Sequence, residues 1–259
     1  MIRTATASKA PSIPTEYPVA QHTLLQTLLL HLLPGALITI AFILLGPWMQ
    51  AHHLPRILAI LLPILFVLIP FELGFLFYLG YRRNGRLSLE GIVLYRERLP
   101  TKEYFIFPLL LLVWFAFAFL ALENVDQAIL TTWFGWLPDW FDLSPSGITL
   151  ADYSQTTRMV TFFLILVLNG VAGPAVEEMY FRGYLLPRME NMKGWGPLVN
   201  AALFSLYHFF APAGNISRIV ALIPMTYVVS WKKNIYLSML AHCLLNTINC
   251  LATIPLFFQ

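Results

Sequence analysis

Charge is scarce in this sequence. Only 11% of its 259 residues are Asp, Glu, Lys or Arg, where a soluble domain averages about 25%. No polar stretch is long enough to hold a separate soluble domain, and 58% of the residues are hydrophobic. The formal charge of +3 is too small to argue for a nucleic-acid partner. Cysteine is nearly absent too. Cys243 and Cys250 lie seven residues apart in one apolar run, about 10 Å along a helix, which is too far for a disulfide. No His-Glu-x-x-His zinc motif occurs, no internal repeat is evident, and no cleavable signal peptide is read.

What is present is long apolar runs, more of them than a soluble fold can bury. They cover about 23–49, 54–81, 104–122, 157–186, 197–211, 219–231 and 235–258. A spanning helix needs about 20 residues. The reading is an all-α polytopic transmembrane helix bundle of about seven spans, with six or eight as the alternatives. Residues 1–21 read as a flexible N-terminal tail and 22–259 as the membrane bundle.

Basic residues set the orientation. With the N-terminus in the cytoplasm, twelve fall on that side: Arg3, Lys9, Arg82, Arg83, Arg86, Arg96, Arg98, Lys102, Arg188, Lys193, Lys232 and Lys233. Only Arg56, Arg158 and Arg218 fall outside. The outer loop after the third span carries Glu123, Asp126, Asp139, Asp142 and Asp152. Seven spans put the C-terminus outside and make the chain a multi-pass plasma-membrane protein of bacterial type. Trp133, Trp136 and Trp140 in that loop would form one aromatic face if helical, an interfacial anchor.

Within the apolar runs, a few polar residues stand out. Glu177 and Glu178 are adjacent, and Arg182 follows Glu178 by four. Ionisable groups at membrane depth are costly, so they tend to be paired and functional. On a helix Glu178 and Arg182 share a face and can pair, while Glu177 is turned away by about 100°. That leaves Glu178 and Arg182 as support and Glu177 free for chemistry. His208 lies four after Phe204, and His242 and Asn246 form another i, i+4 pair. Helix rise places Glu177, His208, His242 and Asn246 about 10–16 Å below the cytoplasmic face on three helices. A carboxylate and a histidine can hold and deprotonate a water. A second histidine and an amide can donate to an oxyanion. This equipment suits hydrolysis of an acyl bond without a covalent intermediate. Ser205 and Cys243 are nucleophiles by type but face away from their nearest histidines, and zinc held by Glu and His is the metal alternative.

These three motifs, Glu177-Glu178-x-x-x-Arg182, Phe204-x-x-x-His208 and His242-x-x-x-Asn246, resemble those of the CPBP family. That family includes the CAAX prenyl proteases and bacteriocin-processing or immunity proteins. The motifs fall in family order within a catalytic core at 155–259. The resemblance implies an intramembrane glutamic endopeptidase without a cofactor or a bound metal. In it Glu177 and His208 activate the water, His242 and Asn246 form the oxyanion site, and Glu178 and Arg182 support them. It also suggests a CAAX-type or bacteriocin-leader substrate, while the depth of the polar cluster points to a flexible, membrane-anchored or lipidated peptide reached from the cytoplasmic leaflet of the lipid bilayer. The rivals are a non-enzymatic immunity or scaffold protein of the same family, and a transporter. A transporter would show broken helices in both halves, whereas the polar cluster here is C-terminal.

Other residues stay open. Pro174 either kinks the fourth helix for packing or opens a wet pocket at Glu177. Glu72 is a second functional carboxylate or the partner of an unseen donor. His31 reads as a helix–helix contact, Asn249 as an extension of the polar face of the last helix.

Overall fold

The computed structural model describes residues 19–141, 143, 150 and 152–258. The tail expected at 1–21 lies outside these for all but its last three residues, and so does Asp142. Among the described residues the fold is all-α with one isolated antiparallel bridge, Arg96 to Asn234, and five helical runs are long and apolar enough to cross a membrane: Leu24–Ala51, Leu58–Asn84, Glu103–Trp133, Gln155–Tyr207 and Pro212–Lys232. Tyr236–Ala252 is apolar but shorter.

Helix α1 is Leu24–Ala51, and a capping box starts it: Thr23 accepts from the Gln26 amide while the Gln26 side chain accepts from Thr23. The run Leu58–Asn84 is α2, which loosens into a π-helix at Ile64–Leu68 and stops at Gly85. Gly85 has φ +68°, the left-handed conformation that favours glycine at a helix end. Helix α3 is Glu103–Trp133. It runs well past the expected end near Leu122, so Glu123 and Asp126 lie on a helix rather than in a loop. This overturns the expected aromatic face as well. Trp133 ends α3, Trp136 sits in the turn beyond it, and Trp140 packs edge-on against Phe42.

Helix α4 (155–185) opens on Ser154, whose side chain accepts from the Thr157 amide. It is irregular: π-helical at Ile165–Ala172, α-helical at Gly173–Glu177, π-helical again at Glu178–Leu185. Pro174 stands at the first junction, where a missing N–H costs least. A 3₁₀ stretch, Leu186–Trp195, follows and breaks at Lys193, whose φ is +53°. Helices α5 (Gly196–Tyr207), α6 (Asn215–Lys232) and α7 (Tyr236–Ala252) complete the bundle.

The elements are fastened at one end by backbone. Ile235 N–H donates to Tyr95 O (2.8 Å), Glu97 N–H to Lys233 O (3.0 Å), Leu94 N–H to Gly183 O (2.8 Å) and His22 N–H to Arg188 O (2.9 Å). Lys233 Nζ adds Glu190 at 2.9 Å. Deeper in, α1 crosses α5 at Gly35, where a Cβ would stand 2.0 Å from the Tyr207 carbonyl oxygen. Only glycine permits that approach, and it seats Tyr207 in the centre of the bundle. Large apolar side chains such as Leu44, Phe105 and Leu120 are exposed on the outer surface, where a bilayer is the solvent that fits them.

Candidate active site

Phe204 on α5 organises the polar centre. The Arg182 guanidinium carbon lies 4.1 Å from its ring centroid. The imidazoles of His208 and His242 meet the same ring edge-to-face at 4.9 and 6.1 Å. One aromatic side chain thus spaces a buried cation from two histidines on different segments. The ring's negative face is a favourable neighbour for the guanidinium.

The expected i, i+4 pair exists. Arg182 Nη1 is 3.4 Å from Glu178 Oε1, and both side chains are fully buried. Glu178 does more than the sequence suggested. The same Oε1 is 3.0 Å from Nδ1 of His242, on α7. A carboxylate that accepts from Nδ1–H fixes the ring's orientation and leaves Nε2 for chemistry. Nε2 is 4.0 Å from Glu177 Oε2. Both glutamates therefore flank one imidazole, and Glu177, also buried, retains an oxygen toward it.

His208 is not in mid-helix. It is the residue after the last turn of α5, and its Nδ1 donates to Phe204 O at 2.9 Å. That bond leaves Nε2 as the basic nitrogen. Asn246 spends one amide hydrogen on the Asn169 carbonyl at 2.9 Å and keeps the other. Of the nucleophiles by type, Ser205 is buried and bonded to Asn215 O at 2.9 Å. Cys243 Sγ points at Val171 O at 3.7 Å. Neither lines the cavity described next. Asn249 is exposed, so the polar face of α7 ends at Asn246.

His208, His242 and Asn246 line a cavity of about 320 Å³ with Asn169, Arg218 and mostly apolar side chains. Asn169 and Arg218 were missed in the sequence. Asn169 is the lone amide in an otherwise apolar stretch, which could have marked it. Arg218 ties down the turn after His208, donating to Ser205 O, Asn215 Oδ1 and Ala211 O at 3.2, 3.0 and 3.3 Å.

The direction of this cavity differs from expectation. By helix rise from the fastened, basic end, His242 stands about 9 Å up and Asn246 about 15 Å. Arg218 stands about 21 Å up and Phe119 about 24 Å, and Ile57 precedes the far end of α2. The site is therefore the floor of a cavity that rises away from the basic residues. A cytoplasmic-leaflet entrance does not follow from its walls. The cause is the shortness of α5, whose 12 residues cover only about 18 Å and leave the far part of its column unfilled.

Glu72, on α2, also reaches this centre. It is fully buried, and its Oε1 is hydrogen-bonded to the Tyr207 hydroxyl at 3.0 Å. His31 is the helix–helix contact expected of it, with Nδ1 on Thr27 O at 2.7 Å and Nε2 3.0 Å from Asn200 Nδ2. Among the described residues, no group of three or more His, Cys, Asp or Glu side chains is placed to hold a metal ion.

Comparison with known proteins agrees with this geometry. Residues 159–248 match a family model described as Rce1-like, type II CAAX prenyl endopeptidase. The match begins on α4 and ends two residues beyond Asn246, so it takes in all three motifs. No curated protein matches the chain, and no solved structure does. The matched core is thus similar to the Rce1-like CPBP family of CAAX proteases, and its buried Glu177 and Glu178 beside His242 fit an intramembrane protease of the Glu/His type.

Proposed function

We propose that Glu177 and His208 activate the attacking water, and that His242 and Asn246 stabilise the oxyanion that forms. The observation that carries this is the Glu178–His242–Glu177 arrangement. One carboxylate orients the imidazole from Nδ1, and the other stands near Nε2 with no guanidinium of its own within 4.0 Å among the described residues. Glu177 takes a proton from water as the hydroxide adds to the scissile carbonyl. The remaining Asn246 N–H and the Nε2–H of a protonated His242 donate to the carbonyl oxygen as it gains charge. The proton on Glu177 then passes to the leaving amine.

The substrate we infer is a flexible peptide segment held at the membrane by a lipid or a helix, since a folded domain cannot enter a cavity of this size. An anchor raises the local concentration of that segment. The helices suit seven crossings, with α4 and α5 parted at Lys193 and the basic end in the cytoplasm. On that topology, the segment enters from the bilayer or the opposite end of the bundle.

The test is cleavage of a membrane-anchored peptide library in liposomes by wild type and by Glu177→Gln. Loss of the base lowers turnover by about 10²–10⁴-fold with folding intact. Equal cleavage by the two proteins rejects the assignment.

A further inference from the structure

Pro174 does something that neither a packing kink nor a wet pocket requires. Helix α4 is π-helical over Ile165–Ala172, and in that geometry a backbone N–H reaches the carbonyl five residues back. At the end of the stretch Gly173 N–H still donates to Leu168 O. The next N–H in the series would belong to residue 174 and would meet the Asn169 carbonyl. Residue 174 is proline, which has none. With the Gly173 N–H spent on Leu168 and no N–H on Pro174, the Asn169 carbonyl is an open acceptor in its own helix.

Helix α7 supplies the donor instead. Asn246 Nδ2 stands 2.9 Å from Asn169 O. Three neighbours on α7 reach the same stretch from farther off: Thr247 Oγ1 is 3.4 Å from Gly170 O, Cys243 Sγ 3.7 Å from Val171 O and Cys250 Sγ 3.8 Å from Ile165 O. Thiols are weak donors, so the Asn246 contact is the strong one of the four. A carbonyl inside the bundle that met no donor would cost stability, and the amide meets it. A primary amide is planar, so holding one of its hydrogens fixes where the other points. Asn246 lines the cavity with His208 and His242, and its second hydrogen is the one left for the substrate.

We propose that Pro174 is a positioning residue for Asn246: by withholding an N–H it reserves the Asn169 carbonyl for the Asn246 amide and so aims the other amide hydrogen. Any other residue at 174 carries an N–H that follows the helical pitch to Asn169 O and competes with Asn246 for it. Asn246 then loses its fixed orientation, with every polar side chain of the site still in place. The Asn169 side chain is not needed for this, since its backbone carbonyl is the group that is used. This inference rests on Asn246 as the oxyanion donor, but the sharing of the Asn169 carbonyl does not.

Two double-variant cycles test it, each built from Pro174→Ala and Asn246→Ala. The first is read by thermal unfolding in detergent and needs no substrate. In the wild-type background Asn246→Ala strands the Asn169 carbonyl and lowers melting by about 2–12 °C. In Pro174→Ala the new N–H meets that carbonyl, so the same substitution lowers melting by less than about half as much. Equal losses in the two backgrounds overturn the proposal. The second cycle is read by initial rates on an anchored peptide. Pro174→Ala lowers kcat about 10–10²-fold at similar KM. Its melting temperature holds or rises, since alanine suits a helix interior better than proline; a proline that only shapes packing would lower both together. The double variant is no slower than Asn246→Ala alone. Losses that multiply, or an undiminished kcat in Pro174→Ala beside a damaged Asn246→Ala, overturn the positioning. If Asn246→Ala itself turns over like wild type, the oxyanion reading fails, and the melting cycle still decides which group holds the carbonyl. Pro174→Ser, which also carries an N–H, takes the place of Pro174→Ala in both cycles if that protein does not fold.

Discussion

Glu178→Gln separates two tasks that one carboxylate performs. Its Oε1 holds Arg182 at 3.4 Å and His242 Nδ1 at 3.0 Å, all within a fully buried environment on the Arg182 side. Among the described residues Arg182 has no hydrogen-bond acceptor on any of its three nitrogens, and Glu178, at 3.4 Å, with the Phe204 ring are its nearest charge partners. Removing one partner of a buried pair costs about 3–5 kcal/mol, because the other charge is stranded. At about 2–4 °C per kcal/mol for a chain of this size, melting should fall by about 6–20 °C. Catalysis should fall separately. A glutamine can present N–H to Nδ1 where an acceptor is needed, and it no longer fixes the ring. The comparable change in a serine-protease triad costs about 10⁴ in kcat, and a loss of about 10²-fold or more is expected here. The double variant Glu178→Gln/Arg182→Met removes the stranded cation, so it should recover most of the melting temperature and none of the turnover. The assays are thermal unfolding in detergent and initial rates on an anchored peptide. If the double variant regains wild-type turnover, Glu178 serves Arg182 alone and the His242 contact is incidental.

Three further outcomes are expected. Asn246→Ala should lower kcat by about 10²-fold or more, as loss of an oxyanion donor does, while Asn249→Ala, on the exposed side of α7, should leave rates unchanged. Exhaustive chelation should leave activity intact, and stoichiometric zinc whose removal and return switches turnover would make ligands of Glu177, His208 and His242. His22, outside the first span, is lowered from 6.5 to about 4 by burial and then by Arg188. Below 6.5 the unfolded chain takes up a proton there that the folded chain refuses, so this contribution is complete above 6.5 and drains away as pH falls toward 4. His22→Phe should flatten that part of the melting curve between pH 7.5 and 4.5, and an identical acid loss in both proteins would show that other groups control it.

Much of the site could be read from spacing along a single helix. Glu178 with Arg182 and His242 with Asn246 are i, i+4 neighbours, and any helix brings such residues to one face. The Glu178–His242 bond could not be read that way, because it joins residues 64 apart on helices whose relative rotation the sequence does not state. Tyr207 carries no signal in the sequence for the same reason, since its bond to Glu72 joins residues on helices whose crossing at Gly35 the sequence does not state. The tryptophan face failed because helical spacing was carried past Trp133, where α3 ends. The misjudged direction of the cavity has a different source. Depth counted up each helix locates a residue along the membrane normal, but the empty part of a column depends on where a neighbouring helix stops.

The two wide stretches of α4 give the length of this segment some tolerance. A turn closed i to i+5 takes up one residue more than an α-turn. Deleting one residue between 165 and 172 would let the helix relax into ordinary α-turns with little local penalty, and Glu177 and Glu178 would keep the face they turn to His242, because the wide turns absorb the missing residue. A deletion in a regular α-turn has no such outlet and rotates everything after it by about 100°. A chain could thus be one residue shorter in this stretch and still hold both glutamates beside His242.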